Sequence, residues 1–264
     1  MQNRSAIQGL SKSIICGCIL LSNLQARVDN MTSNKTITIS NIEHLPEPVQ
    51  RFLKFSGVIG TSMINRIEIE QVGRFKIGPD KPWASFTAVQ TYDIKEAEFE
   101  WKVKMKMTPF VILTGSDKLQ RGKARMKMLL YGVVPLVNAM GAEIDQGAMT
   151  RYLSETIWFP QAFLDNHITW TAIDSLSAKA TLSIAEKSVE GIFHFDELGP
   201  VTSFTCHRYS SEGKAFVLRP WRCPIDEYKA FEGIQVAAKA RAIWDFPEGE
   251  YTYINLEVTN IKYE

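Results

Sequence analysis

This 264-residue sequence lacks the signatures by which most enzymes and metalloproteins are recognised. It has only four histidines and four cysteines, with no HExxH motif, no Cys-x-x-Cys pair and no histidines at metal-ligand spacing. It also has no Gly-x-Ser-x-Gly nucleophile elbow and no glycine-rich phosphate loop. We therefore predict no metal, no cofactor and no catalytic residues of a recognised type.

Charge of one sign is also lacking. The formal net charge is +1, which gives no general attraction to nucleic acid, so we predict no nucleic-acid partner. The hydrophobic fraction of 45% is ordinary for a folded protein, and a chain of this length can bury a large core without disulfides. No charged linker or low-complexity stretch divides the chain after residue 30. We predict one β-rich domain over residues 31–264.

Residues 1–30 differ from the rest. Arg4 and Lys12 precede the short apolar run Ser13–Leu24, which is the layout of a secretory signal peptide and is too short for a comfortable membrane span. We predict a signal peptide or membrane-proximal leader and export to the cell envelope. Alternatively, Met31 is the true start and the protein is cytoplasmic. If it is exported, Cys206 and Cys223 can form one disulfide; two unpaired buried thiols are the other reading.

Most of the chain alternates apolar and polar residues, as half-buried antiparallel strands do. The clearest case is Glu96–Met107, where Phe99, Trp101, Val103, Met105 and Met107 alternate with charged residues. We count about eleven strands in two runs, which predicts a mainly β fold with a few helices and a curved antiparallel sheet. Val133–Met140 is expected to be a short helical turn. Residues 210–233 are expected to be irregular, with Pro220 and Pro224 in loops or at an edge.

Two segments are predicted to be helical. Leu45–Phe55 carries an apolar face, and Asp145–Leu164 is a longer helix that Asp145 caps and Pro160 interrupts. Arg151 and Glu155 are four residues apart and can pair along this helix. Inside a cavity that pair is a site; on the surface it is an ordinary ion pair.

Two further features suggest binding. Basic residues line the polar faces of the middle strands, where they can approach an anionic membrane surface: Lys102, Lys104, Lys106, Arg121, Lys123, Arg125 and Lys127. The apolar faces carry wide, adaptable side chains, and together with the long helix they give these candidate ligand-binding residues: Trp83, Phe86, Phe99, Trp101, Met105, Met107, Met126, Met128, Arg151, Tyr152, Glu155, Trp158 and Phe159. The small residues Val236, Ala238, Ala240 and Ala242 form a shallow strip, either a groove floor or a seat for the helix.

Six stretches in order resemble an uncharacterised bacterial domain family of unknown function: LPEPVQRFL, KPWASFTAVQ, FEWKVKMKM, GAEIDQG, RYLSETIWFP and FHFDELG. The resemblance implies no catalytic residues. Separately, the strand count and helix placement are similar to the lipoprotein carriers LolA and LolB, which implies a half-barrel packed on one or two helices around an apolar cavity.

Three hypotheses follow. The first is a cell-envelope protein that binds a lipid or another hydrophobic ligand between the curved sheet and the helix. The second is a structural domain that docks a partner without a ligand. The third, ranked last, is an enzyme that acts on a hydrophobic substrate with Arg151 and Glu155.

Overall fold

The computed structural model describes residues 36–213 and 215–264, of which Ile37–Glu264 form one compact unit. The leader predicted over residues 1–30 lies outside the described residues. Within the described part of the chain, no helix combines the length and the apolar character needed to cross a membrane.

The unit is built on one antiparallel sheet of thirteen strands and two α-helices. The helices are α1 (Glu47–Phe55) and α2 (Ala142–Glu155), with 3-10 turns at Ile39–Asn41, Thr156–Trp158 and Pro160–Leu164. The strands are β1 (Arg66–Phe75), β2 (Ala84–Asp93), β3 (Glu98–Thr108), β4 (Val111–Gln120), β5 (Lys123–Leu130), β6 (Val134–Ala139), β7 (Ile168–Asp174), β8 (Ser177–Ile184), β9 (Lys187–Phe195), β10 (Val201–Glu212), β11 (Ala215–Phe231), β12 (Ile234–Phe246) and β13 (Gly249–Tyr263). The predicted fold class, mainly β with a curved antiparallel sheet, is confirmed.

Strand order explains how the two predicted runs become one sheet. The order is β6-β5-β4-β3-β2-β1-β13-β12-β11-β10-β9-β8-β7, so every neighbour is adjacent in sequence except β1 and β13. From β1, each strand pairs with the next in sequence as far as the edge strand β6. The chain then crosses through α2 to the other edge strand, β7, and each following strand again pairs with the next, as far as β13. Because both edges belong to residues flanking α2, the helix must span the concave side of the sheet.

The sheet curls far enough for its two flanks to meet. Ten steps separate β5 from β8, and neighbouring strands rotate by about 20° each, which accumulates to roughly half a turn. The β4–β5 turn accordingly reaches the β8–β9 turn, where Lys187 Nζ donates to the carbonyl oxygen of Gly122 at 2.9 Å. A methyl group on Gly122 would lie only 3.2 Å from the carbonyl oxygen of Ile184. The result is a half-barrel closed across α2.

Two glycines inside strands make room for bulky neighbours. A methyl group on Gly73 would lie 2.7 Å from the ring of Phe86, and one on Gly115 would lie 2.3 Å from the sulfur of Met128. In both cases a bulky side chain on the neighbouring strand folds over the missing side chain. At Gly73 a methyl group would also lie 2.3 Å from the carbonyl oxygen of Asn255 on β13, so substitution there would displace the backbone, whereas the Met128 side chain at Gly115 can move aside.

Two predicted elements are corrected. The expected helical turn at Val133–Met140 is wrong, because Val134–Ala139 forms the edge strand β6, where Pro135 is tolerated since only one side of the strand pairs. The expected irregularity over 210–233 is also wrong. Within this range β10 ends at Glu212, and Ala215–Phe231 form the 17-residue strand β11, whose ladder with β12 skips Cys223, Pro224 and Asp226. Thirteen strands are therefore present where about eleven were predicted.

The long helix is shorter and starts earlier than predicted. It begins at Ala142 after Gly141, whose φ of 133° favours glycine, so the prediction that Asp145 is the N-cap is wrong. It ends at Glu155 because Pro160 disfavours helical backbone at Phe159, and the chain continues in two 3-10 turns. Nine of its 14 residues are buried, so α2 is a core element enclosed by the sheet.

Candidate functional site

A buried polar network surrounds Arg151 at the centre of the half-barrel. Its Nε donates to Glu155 Oε1 at 2.8 Å, its Nη1 to Asp117 Oδ2 at 3.0 Å, and its Nη2 to Gln90 Oε1 at 3.0 Å. The predicted Arg151–Glu155 pair is therefore present, and it lies inside the fold because both side chains are at most 15% exposed. Asp117 reaches it from β4, 34 residues away in sequence.

The second oxygen of Glu155 is also engaged. Oε2 accepts hydrogen bonds from Gln90 Nε2 at 2.9 Å and from the Tyr92 hydroxyl at 2.8 Å. Gln71 connects this pair to the β3 wall, since it donates to Gln90 and accepts from the indole of Trp101 at 3.0 Å. With every oxygen of Glu155 occupied, the carboxylate is held as a structural acceptor.

Aromatic rings and charges fix the Arg151 guanidinium. It lies 5.1 Å from the ring centroid of Phe99 and 4.8 Å from that of Trp101, within cation–π distance. Burial acts to lower the pKa of Arg151, but the carboxylates of Glu155 and Asp117 outweigh it and hold the pKa above its ordinary value. Burial, reinforced by the Glu155 charge, raises the pKa of Tyr92 well above its ordinary value.

Asp145 does not cap α2 as predicted; its carboxylate contacts two strands of the sheet instead. Its Oδ1 accepts the backbone N–H of Ala124 on β5 at 2.6 Å, and its Oδ2 pairs with Lys187 at the start of β9. We name these three residues the clasp, since they tie the two flanks of the sheet to α2. Both the position and the partners of Asp145 depend on long-range packing.

The predicted ligand-binding residues divide into two groups. The fully buried ones fill the core: Phe86, Phe99, Trp101, Met105, Tyr152, Glu155, Trp158 and Phe159. Trp83, Met107, Met126, Met128 and Arg151 are half-buried. Tyr152 and Phe159 pack on Tyr92 at centroid distances of 6.1 and 4.5 Å, and Trp158 Nε1 donates to the carbonyl of Ala237 at 2.9 Å. The 3-10 turn carrying Trp158 thus packs on β12 at the strip of small residues. A ligand-binding role for these thirteen residues stays a prediction.

An opening interrupts the sheet between β9 and β10. Their ladder stops at Thr205 opposite Ile192, although β10 runs on to Glu212. Beyond the stop, Gln146 of α2 bonds the free backbone edge of β10: its Nε2 donates to the carbonyl of His207 at 2.9 Å and its Oε1 accepts from the N–H of Tyr209 at 3.3 Å.

A depression of about 550 Å³ occupies this opening. Its rim carries exposed polar residues such as Ser188, Glu190 and His207, whereas Trp221 and Cys206 on the concave side form its floor. From Trp221 an aromatic wall continues inward across β12 and β13. Its successive ring centroids are 6.4 Å apart for Trp221–Trp244 and 6.1 Å apart for Trp244–Tyr253. The depression therefore lies over Trp221, which packs against the other rings of the aromatic wall.

Cys206 and Cys223 are free thiols in the structure. Burial raises the pKa of Cys206 to about 12 and that of Cys223 well above its ordinary value. Both thiols therefore stay protonated near neutral pH and contribute apolar surface to the wall.

The basic stripe is exposed, as its sequence pattern implied, except for Lys127, which is half-buried. Lys102 pairs with Glu100 at 3.1 Å, and Arg125 Nε donates to Asn138 at 2.9 Å. A second depression of about 570 Å³ lies among Lys118, Arg121, Lys123, Arg125 and Met140. No group of three or more histidine, cysteine, aspartate and glutamate side chains within residues 36–213 and 215–264 is arranged to hold a metal ion.

Arg151 and Glu155 were predictable as a pair from their spacing, but the partners of the pair were not. Gln71 and Gln90 carry a weak signal, since each places a polar side chain at an inward position of an apolar strand face. Asp117 and Tyr92 show no comparable signal, because only the curl of the sheet brings them to α2.

Comparison with solved structures finds distant likenesses. A DUF1329 family protein from Desulfovibrio piger is 10% identical, with 83% of this chain and 94% of that chain covered at a TM-score of 0.49. A domain described as a candidate outer membrane lipoprotein-sorting protein from Vibrio parahaemolyticus is 6% identical, with coverages of 76% and 86% and a TM-score of 0.42. A LolA superfamily protein from Nitrosomonas europaea is 9% identical, with coverages of 82% and 93% and a TM-score of 0.40.

Among curated proteins, no sequence matches this chain. A family model does match, over residues 35–256, which is most of the chain and includes all six of the motifs noted in the sequence. The resemblance to a domain family of unknown function is thereby confirmed. The chain belongs to DUF6544, a family of unknown function.

Proposed function

We propose that this protein binds an apolar molecule through the opening between β9 and β10, against the aromatic wall that begins at Trp221. The observation that carries the proposal is the depression of about 550 Å³, whose rim is polar and whose floor is aromatic. A ligand bound there leaves water for a surface that includes Val189, Leu218 and the indole of Trp221. Each methylene group buried in this way contributes about 0.8 kcal/mol.

Polar chemistry in the interior favours binding over catalysis. Both carboxylate oxygens of Glu155 and all three nitrogens of the Arg151 guanidinium are already hydrogen-bonded within the fold. Glu155 cannot accept a proton from a substrate, and Arg151 cannot turn its N–H groups to a substrate, without breaking a buried network. The hypothesis of an enzyme using Arg151 and Glu155 therefore ranks below ligand binding.

Filling the opening tests the proposal. Ser188 and His207 are exposed on opposite sides of the rim, so Ser188→Trp and His207→Trp place an indole in the entry without touching the core. We expect each to weaken uptake of dansyl-undecanoate at least tenfold in a fluorescence titration. Thr171→Trp, on an exposed position of β7, is the matched control and keeps the affinity of the unmodified protein. Equal affinity in all four proteins would contradict entry through the opening.

A second candidate function is contact with an anionic membrane surface at the cell envelope. It is supported by two apolar turns beside the basic stripe, in which Phe110 is 84% and Val133 75% exposed. The Tyr131 hydroxyl donates to the carbonyl of Phe110 at 2.5 Å, so the two turns form one tip. Exposed apolar surface flanked by lysines suits a bilayer interface.

Vesicle co-sedimentation tests this second proposal. We expect binding to vesicles of equal parts phosphatidylglycerol and phosphatidylcholine, with much weaker binding to pure phosphatidylcholine. Phe110→Asp combined with Lys106→Glu should release the protein, while Lys229→Glu, on β11 and far from the stripe in strand order, should not. Absence of any vesicle binding would instead favour a domain that docks a protein partner.

A further inference from the structure

Arg208 is a half-buried cation on the concave face of β10, two residues beyond Cys206. Its Nε donates to the carbonyl of Gly147 on α2 at 3.1 Å, and its Nη1 donates to the Tyr253 hydroxyl at 3.3 Å. Both acceptors are neutral. The guanidinium is therefore oriented by the fold without being neutralised by it.

The planar guanidinium of Arg208 lies between the aromatic wall and α2. The guanidinium carbon lies 5.0 Å from the ring centroid of Trp221 and 6.0 Å from that of Trp244. On the other side, α2 carries a glycine at the point of contact, and a methyl group on Gly147 would lie 3.4 Å from Nε and 3.6 Å from Nη2. Glycine here leaves the room that the guanidinium occupies between the helix and the aromatic wall.

No carboxylate of residues 36–213 and 215–264 lies within ion-pair distance of Arg208. The other half-buried arginines of the sheet differ, since Arg219 pairs with Glu212 and Arg222 pairs with Asp245. Partial burial of an arginine without a counter-charge disfavours the cation, and an anion supplied from outside would offset that effect. Nη2 has no hydrogen-bond partner among the described residues, and it is not sealed from solvent.

We propose that Arg208 binds the anionic head group of the apolar ligand, through its forked guanidinium, while the ligand's apolar part lies along the aromatic wall. This inference rests on the proposed function. Arg208 does not itself line the depression; it lies behind Trp221, which lines it and packs against the guanidinium. The matching chemistry is an oxyanion with two or more acceptor oxygens, such as the carboxylate of a fatty acid or the phosphate of a phospholipid monoester.

The experiment compares one chain length with three head groups. Dodecanoate, dodecyl phosphate and dodecanol are titrated into the full chain below their micellar concentrations, and affinity is read from tryptophan fluorescence. We expect the anionic ligands to bind about 10- to 100-fold more tightly than dodecanol, as suits a charged hydrogen bond. The tighter of the two anions identifies carboxylate or phosphate as the head group.

Arg208→Met keeps the apolar stem and removes the charge. We expect it to bind all three ligands with the affinity that the unmodified protein shows for dodecanol, and Arg208→Lys to recover only part of the preference. Circular dichroism and thermal melting confirm folding of both variants. If dodecanol binds as tightly as the anions, and Arg208→Met changes nothing, the head-group assignment is overturned while the proposed function stands. If none of the three ligands binds, both fail.

Discussion

At the scale of single residues, Arg151 organises the interior. It holds two carboxylates and one amide from three different elements, and its guanidinium lies against two aromatic rings. A buried ion pair adds little net stability over an apolar substitute of the same shape, but removing one partner leaves uncompensated charge. The network therefore fixes the position of α2 relative to strands β2 and β4.

Arg151→Met should destabilise the fold strongly, because it strands the Glu155 and Asp117 carboxylates in the interior. We expect the free energy of unfolding, measured by urea titration, to fall by about 3–5 kcal/mol. The control is Arg241→Met, which breaks the exposed pair with Asp226 and should cost under about 1 kcal/mol. Similar losses of stability in the two variants would contradict a role for Arg151 in fixing the position of α2.

The raised pKa of Tyr92 predicts that the folded state loses stability at alkaline pH. Burial and the Glu155 charge raise the pKa of Tyr92 in the folded state, so above its ordinary value of about 10 only the unfolded chain loses this proton. Unfolding is then increasingly favoured as pH rises, by about 1.4 kcal/mol per pH unit for one such group.

Replacing Tyr92 by phenylalanine should flatten that slope. Urea titrations between pH 9 and 11 are expected to show a shallower decline for Tyr92→Phe than for the unmodified protein. The exposed Tyr209→Phe serves as the control and should follow the unmodified protein. Parallel slopes for all three proteins would show that Tyr92 ionises equally in both states.

At the scale of elements, the clasp decides whether the half-barrel stays closed. Asp145 accepts the N–H of Ala124 on one flank, and it neutralises Lys187 on the opposite flank. One carboxylate on α2 thus connects β5 with β9, two strands that are far apart in strand order.

Asp145→Ala should loosen both flanks together. The loss of a charged acceptor leaves a buried N–H unsatisfied, so we expect a destabilisation of about 1–3 kcal/mol. Hydrogen exchange should quicken at Ala124 and across the β8–β9 turn. Glu143→Ala removes a neighbouring acid from the same first turn of α2 and should leave exchange unchanged. Faster exchange confined to α2 would contradict a clasp.

Sequence periodicity predicted the elements whose pattern is local. The alternation of Phe99–Met107 and the apolar face of Leu45–Phe55 both appear as expected, in β3 and α1. Elements decided by distant partners were missed. The strand β6 contains Pro135, and β11 contains Pro220 and Pro224, so local propensity argued against strands that the neighbouring ladders nevertheless stabilise.

The candidate site, too, was predictable only where its pattern is local. Four-residue spacing was enough to predict the Arg151–Glu155 contact, but whether it lay inside a cavity or on the surface depended on the curl of thirteen strands. Arg208 and Gly147 lie 61 residues apart, and nothing local marks either as a binding residue. Their contact exists only because α2 crosses the concave side of the sheet.

At the scale of the whole molecule, topology creates the opening between β9 and β10. A meander whose first and last strands pair leaves two edges, β6 and β7, that the chain must connect by crossing the concave side. The crossing helix fills much of the interior and keeps β10 separate from β9 beyond Thr205 through Gln146. The opening is thus a consequence of strand order and helix placement together.

The most direct test of ligand binding is mass spectrometry of the intact protein under native conditions, followed by organic extraction of what it carries. If the protein binds an apolar ligand, the purified full chain carries an added mass, which is recovered in the extract as an acyl-chain molecule and is lost in His207→Trp. A protein with no added mass that also takes up no dodecanoate and no dodecanol when these are supplied would rule out ligand binding at the opening.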